Sequence, residues 1–284
     1  MRIAYVIMAS MRIQKGRLRA RTVISCIIAL LCIAGIGYSG FKIIEWKIDS
    51  DKTVAQTEQI NELTKMNEVD DSDKTEVVAS DEGEESLYRK YIKTRLLDVD
   101  FSELRSINNE VAGWVQVRGT NINYPYVSAG NNDYYLTHSF DKSYSRAGWI
   151  FSDFRNQLDG TDKNMILYAH GRYDDTMFGT LRRILTSGWL NDDGNFIVRT
   201  SNEKENALWQ VFSVYKTPVT NDYIQTSFND DAAFEEFANM LQKRSAHNFQ
   251  AKVVGSDHIL TLSTCYSKDE RVVLHAKLIK RQAK

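Results

Sequence analysis

Cysteine is scarce in this chain of 284 residues: there are three, and Cys26 and Cys32 lie inside an unbroken apolar run near the N-terminus. Cys265 is therefore the sole thiol of the polar part. It has no partner for a disulfide in its own domain, and one cysteine is too few for a thiolate metal cage. A basic stripe with interleaved aromatics is also missing, which argues against a nucleic-acid ligand. Neither an internal repeat nor a glycine-rich phosphate loop is present, and neither a metal nor a cofactor is expected.

Two further absences organise the N-terminal part. No acidic residue occurs before Thr22, whereas Arg2, Arg12, Lys15, Arg17, Arg19 and Arg21 do. No charge occurs between Thr22 and Phe41, a length that matches the roughly 20 residues a helix needs to cross the hydrocarbon core. The positive-inside bias then predicts a basic cytoplasmic segment over 1–21, a membrane helix over 22–41 and everything beyond it outside the cell. A cleaved signal peptide is the alternative. Its apolar region is normally about 7–15 residues long, so the length favours an uncleaved anchor, although the small residues Gly35, Gly37, Ser39 and Gly40 leave room for cleavage.

The net charge of −1 conceals polarity along the chain. Ile60, Leu63 and Met66 stand at helical spacing and suggest a short stalk. Between Asn67 and Ser86 there are nine acidic residues, one lysine and no aromatic. Such a composition buries too little apolar surface to offset its ordering entropy, so 42–86 is expected to be a stalk and a solvated acidic tether. One folded domain is expected over 87–284, a size that sustains a single core.

Within that domain, Ser86–Leu97 and Phe101–Asn108 read as helices. Short β-branched or aromatic runs then follow at Trp114–Val117, Ile122–Tyr124, Gly148–Phe151, Met165–Tyr168, Phe196–Val198, Trp209–Tyr215, Ile259–Cys265 and Val272–Ile279. Many short strands at irregular spacing predict a mainly β fold with added helices, closed as a barrel. Helical insertions are expected at 177–185 and at Ala232–Lys243, the latter with an apolar stripe of Phe234, Phe237, Ala238 and Leu241 capped by Asn229 or Asp230.

Strand periodicity constrains what Cys265 can meet. It shares a strand face with Ser263 and Thr261, opposite Leu260 and Leu262. In the next strand Val272, Leu274, Ala276 and Leu278 form the inward set, and Arg271, Val273, His275 and Lys277 look outward. If the two strands pair, Arg271 and Cys265 share one surface groove. A lone thiol beside a guanidinium is a candidate nucleophile, set against the ordinary reading of a small buried hydrophobe. Such a nucleophile wants an imidazole within reach. His170, at the end of an apolar strand where a loop begins, is the first candidate, and His275 is the second. His138, His247 and His258 sit in polar loops or at a helix end and read as surface residues.

Taken together, Thr261-Leu-Ser-Thr-Cys265, Arg271-Val-Val-Leu-His-Ala-Lys-Leu-Ile279 and Leu167-Tyr-Ala-His170 followed by Thr176-Met-Phe178 resemble the sortases, class B most closely. Thr120-Asn-Ile-Asn-Tyr-Pro125 and Gly148-Trp-Ile-Phe-Ser-Asp-Phe-Arg-Asn156 support the likeness, and Ala232–Lys243 is similar to the helical insertion that marks class B. The family often shows Tyr-Gly-His-Asn where this chain has Tyr168-Ala169-His170-Gly171, a departure that leaves the histidine in place and bears only on the loop after it. The resemblance implies a sortase-type barrel with N-terminal helices and a membrane-anchored cysteine transpeptidase with its catalytic domain outside the cell. Its substrates would be secreted proteins with a C-terminal sorting motif, and its acceptor an amine of a cell-wall precursor. It implies Cys265 as nucleophile, His170 as acid and base, Arg271 as substrate or oxyanion grip, and Ser263 and Thr264 as groove residues. A pilin-joining enzyme that uses a lysine amine, a cysteine protease and a non-catalytic membrane-tethered binding module remain as alternatives.

Overall fold

The computed structural model describes residues 2–78, 86–265 and 269–284, with side chains from Thr22 onward apart from that of Cys265. Two compact units result, Met1–Asp49 and Ser50–Lys284. The first is wholly helical and belongs to α1 (Arg2–Leu63). Among the described residues this is the one helix long and apolar enough to cross a membrane. Its apolar side chains lack protein cover: Leu30, Leu31 and Ile36 are all about two-thirds exposed or more. Polar solvent does not suit such a surface, whereas lipid does.

The second unit begins earlier than the sequence suggests. Ile60 is buried in the core, while Leu63 is exposed and Met66 belongs to a strand, so these three do not form one stalk face. Over its described residues the acidic stretch is exposed to solvent but is not a free tether either. It forms β1 (Lys65–Val69) and β2 (Thr75–Val77), while 79–85 lie outside the described residues. Apolar burial is not what orders this stretch, because here the acids find cations. Glu68 meets Arg199 at 2.7 Å, Asp71 meets Lys280 at 2.7 Å and Glu76 meets Arg281 at 2.7 Å. Lys280 is buried, and its ammonium also donates to the carbonyls of Ile92 and Thr94.

The helix expected over Ser86–Leu97 is only α2 (Leu87–Tyr91), and Leu96–Asp100 is β3, paired antiparallel with β1. Burial of Leu96, Leu97 and Val99 in that ladder outweighs the local helical spacing. Helix α3 (Ser102–Ile107) follows as expected.

Seven of the eight expected strands form within a few residues of their expected bounds, and the run Gly148–Phe151 shrinks to a two-residue strand that shares only Phe151 with it. The eight are β4 (Val111–Val117), β5 (Asn123–Val127), β6 (Phe151–Ser152), β7 (Asn164–His170), β8 (Ile197–Ser201), β9 (Glu205–Pro218), β10 (Ile259–Cys265) and β11 (Glu270–Ala283). Their order is β10-β7-β6-β5-β4-β8-β9-β11, and β10 pairs again with β11, which closes an eight-stranded barrel. Strand β2 pairs with β11 beyond the end of β10. The interior is set by alternation: Leu260, Leu262, Val272, Leu274 and Ala276 are fully buried. The expected insertions appear as a 3₁₀ segment (Gly179–Leu185), followed by α4 (Ser187–Leu190), and as α5 (Asp231–Lys243). Asp230 caps α5, its carboxylate accepting from the Ala233 N–H at 2.8 Å.

Candidate active site

Strand β10 has a parallel neighbour, β7, on one side and an antiparallel neighbour, β11, on the other. At its last residue the register sets Cys265 opposite His170 of β7 and opposite Arg271 of β11. In-register residues of adjacent strands lie on the same sheet face. One thiol-bearing residue, one imidazole and one guanidinium therefore occupy the same face at the same rim. The connection 266–268 lies outside the described residues.

The His170 ring is held from one side. Its Nε2 lies 2.8 Å from the Leu136 carbonyl. A carbonyl only accepts, so Nε2 carries the hydrogen and Nδ1 is the nitrogen left for exchange. Leu136 ends a short 3₁₀ turn, Tyr134–Leu136. Against that turn packs Gly148, at φ +59, where an added Cβ would stand 2.4 Å from the Tyr135 carbonyl oxygen and 2.9 Å from that of Leu136. Only glycine fits such a left-handed, crowded position. On the other side, the backbone carbonyl of His170 accepts from the Phe178 N–H at 3.1 Å. The intervening loop closes around Asp174, whose carboxylate accepts from Arg172, from the Thr176 N–H and hydroxyl, and from the Ser50 hydroxyl at 2.7 Å. Burial alone would raise this carboxyl's pKa; those bonds outweigh it and hold it well below the ordinary carboxylate range.

Arg271 is half-buried, opposite Thr217 of β9, and its Nη1 donates to the Glu270 carbonyl at 3.1 Å. The face it shares with Cys265 is not an open surface groove along its whole length, as alternation suggested. Thr261, Ser263, Val273, His275 and Lys277 are all buried. The segment before α5 contributes to this cover. The Tyr223 hydroxyl lies 2.9 Å from Ser263 Oγ, the Asn164 amide donates to the Gln225 carbonyl at 2.8 Å, and Arg155 reaches across to the Ile224 carbonyl at 2.9 Å.

Ser263 thus stands beside the rim but is tied to Tyr223. Thr264 points to the other face, and its hydroxyl, fully buried, has no hydrogen-bond partner among the described residues. Tyr223, Leu136 and Gly148 were not reachable as site residues from sequence, because each matters through a long-range contact that no local pattern announces.

His275, the alternative imidazole, pairs with Thr261, four residues back from Cys265. Thr261 Oγ1 donates to Asn164 at 2.7 Å, so it accepts from His275 Nδ1 at 2.9 Å, and Nε2 then accepts from the Tyr215 hydroxyl at 2.9 Å. Burial pushes the pKa of this imidazole down to about 3. Both nitrogens are committed inside the wall, which removes His275 as the base. His138, His247 and His258 are half-buried rather than solvated: His138 stacks on Tyr134, and His258 bonds the Asp162 carbonyl. Among the described residues no cluster of three or more His, Cys, Asp or Glu is placed to hold a metal.

A strand-end cysteine with a histidine on the parallel neighbour and an arginine on the antiparallel one, in an eight-stranded barrel, fits the class of cysteine acyl-transfer enzymes. Residues 115–279 match the sortase domain family, and the chain belongs to the sortases, class B, which are cysteine transpeptidases. It is 37% identical to sortase B of Staphylococcus aureus over 184 residues, which cover 63% of this chain and 75% of that protein. Sortase B of Listeria monocytogenes is 34% identical over 184 residues, covering 63% and 74%. A solved complex of the Staphylococcus aureus enzyme with a substrate superposes with a TM-score of 0.59 at 37% identity, covering 63% of this chain and 84% of that one. A Bacillus anthracis protein similar to sortase B gives 0.62 at 35% identity, covering 80% and 94%.

Proposed function

We propose that this sortase cleaves a C-terminal sorting motif of secreted proteins at the outer face of the membrane and joins the released acyl group to an amine of the cell wall. The single observation that carries the reading is the shared register of Cys265, His170 and Arg271. The Cys265 thiolate attacks the scissile carbonyl carbon, and the tetrahedral oxyanion is met by the Arg271 guanidinium, whose fixed fork of donors suits an oxygen better than an ammonium does. The C–N bond breaks as protonated His170 gives a proton to the departing amine, leaving a thioacyl-enzyme. An acceptor amine then attacks, His170 takes its proton and the thiolate departs. Because Nε2–H is held by Leu136, the shuttled proton is assigned to Nδ1.

Ser263 bounds the groove at its rear through its bond to Tyr223, whereas Thr264, on the opposite strand face with its hydroxyl buried, does not line it. The exposed apolar helix supports a membrane segment, and the length of its charge-free run and the basic residues before it favour an uncleaved anchor with 1–21 inside the cell. Incubating the detergent-solubilised chain with a panel of sorting-motif peptides and an amine, followed by mass spectrometry, tests the reading. An amine-dependent ligation product and a trapped thioacyl adduct are expected, both absent in Cys265→Ala. Hydrolysis that ignores added amine would instead indicate a protease.

A further inference from the structure

The part of α1 that belongs to the second unit, Ser50–Leu63, buries an unusual set of side chains. Ser50 and Thr53 are buried, Gln56 and Thr57 are half-buried, and Ile60 and Thr64 complete the stripe. The spacing is that of one helix face, but the chemistry is hydroxyl and amide rather than aliphatic. A helix that served only as cover would present an apolar stripe. Thr57 and Thr64 donate back to the carbonyls of Thr53 and Ile60 within the helix, but Ser50 and Gln56 make directed bonds to the two segments that hold His170. The Ser50 hydroxyl donates to Asp174, around which the loop following His170 closes. The Ser139 hydroxyl donates to Gln56, and Lys52 donates to Ser143 at 3.0 Å. Ser139 lies three residues beyond Leu136, the carbonyl that fixes the His170 ring, and the segment folds back on itself through Ser139 N–H to the Ser143 carbonyl at 2.9 Å.

We propose that Ser50–Leu63 is a positioning element of the active site, clamping the Asp174 loop and the Leu136 segment so that the His170 ring is held in one orientation. The inference rests on the reading of His170 as acid and base. It adds that a helix outside the barrel, with no residue at the reacting atoms, determines how well that imidazole is aimed.

The full chain in detergent micelles tests this with Ser50→Ala/Gln56→Ala, Ser50→Thr and His170→Ala in the amine-dependent ligation assay. For the double variant kcat is expected to fall about tenfold, with KM within about twofold, since misplacement of a catalytic group costs rate rather than substrate binding. The pH profile of kcat/KM should shift on the limb set by the histidine, and the Phe178 amide should exchange faster. Ser50→Thr, which keeps the hydroxyl, should retain most of the rate. Unchanged kcat in the double variant while His170→Ala is inactive overturns the positioning role alone. A loss of kcat that tracks a loss of thermal stability, with an unmoved pH profile, overturns it also and leaves a merely structural contact. Full activity of His170→Ala would overturn the reading beneath it.

Discussion

Gly148→Ala is the sharpest perturbation of the site that touches none of its proposed reacting groups. Gly148 sits at φ +59 with the Tyr135 carbonyl oxygen 2.4 Å and the Leu136 carbonyl oxygen 2.9 Å from where a Cβ would be. Ordinary contact begins at 3.4 Å, so the turn must retreat by about 1 Å to admit a methyl group, carrying with it the carbonyl that holds His170. A left-handed non-glycine residue costs about 1–2 kcal/mol. The Trp149 N–H to Tyr135 carbonyl bond, 2.9 Å here, is weakened as well, at about 1 kcal/mol. For a unit of this size the melting temperature should then fall by roughly 5–10 °C. The rate should fall further than stability suggests, because a 1 Å misplacement of a catalytic group costs about 100-fold. Gly119→Ala is the control: it also has positive φ, +71, but its Cβ would meet the Asn195 side chain and nothing connected to His170. Both variants are assayed well below their melting temperatures for kcat of peptide ligation. Wild-type kcat in Gly148→Ala, or equal losses in both variants, would refute the claim that the Leu136 carbonyl aims the imidazole.

Arg271→Lys should lose about 10²–10³ in kcat, since one ammonium cannot reproduce the guanidinium's donors; an activity within tenfold of wild type would remove Arg271 from the oxyanion role. His170→Ala should lose about 10²–10⁴ in the same assay, whereas His275→Gln should keep most of its rate, and the reverse ranking would exchange their roles. His275 also predicts a pH effect on folding. Its pKa is depressed by burial to about 3, so the unfolded chain binds more protons as pH falls below the ordinary histidine value of about 6.5. Stability from this group is fully present above that value and declines by about 1.4 kcal/mol per pH unit on the way down. Urea unfolding of wild type and His275→Gln between pH 4 and pH 7, ~3 units of titration window, should show the shallower slope in the variant; parallel slopes would mean that the imidazole is not buried neutral. Protease added to intact cells should remove the barrel and leave a membrane-bound stub, and release of the barrel without protease would contradict an uncleaved anchor.

Much of this was legible in the sequence because barrel strands are written in period two. Ile259–Cys265 was readable to the residue, and Arg271 beside Cys265 followed on the condition that the two strands pair, as they do. His170 was readable as a strand end, but its placement beside Cys265 required the parallel β7–β10 pairing, which crosses nearly a hundred residues and leaves no local trace. The failures share one cause. Leu87, Tyr91, Arg95 and Leu96 carry helical spacing, yet the helix stops at Tyr91 and Leu96 opens β3, while Glu68, Asp71 and Glu76 are exposed yet tied to Arg199, Lys280 and Arg281. In both cases a partner distant in sequence supplies the burial or the charge that local composition lacks. The outward face of β10 and β11 misled for the same reason, since alternation tells which residues leave the barrel interior but not what then covers them.

The barrel also explains why so small a reacting set can be placed reliably. A one-residue slip of β10 against either neighbour would turn Leu260 and Leu262 out of the core and bring Thr261 and Ser263 in. Both leucines are fully buried, as are Leu274 and Ala276 across from them, so a slip sends hydroxyls into the apolar interior and sets leucines against Tyr223, Asn164 and His275, the present partners of Ser263 and Thr261, at about 1–3 kcal/mol for each buried polar group left unpaired. The same holds on the β7 side, where Met165 and Leu167 are buried opposite Leu260 and Leu262. Register is therefore fixed twice over, from a parallel and from an antiparallel partner, by residues that take no part in chemistry. What packing cannot fix is the rotation of the His170 ring, because the residue lies at the strand's end and is only half-buried. That remaining freedom is removed by a hydrogen bond to Leu136, and the rigidity of that carbonyl depends in turn on Gly148 and on the polar face of a helix outside the barrel.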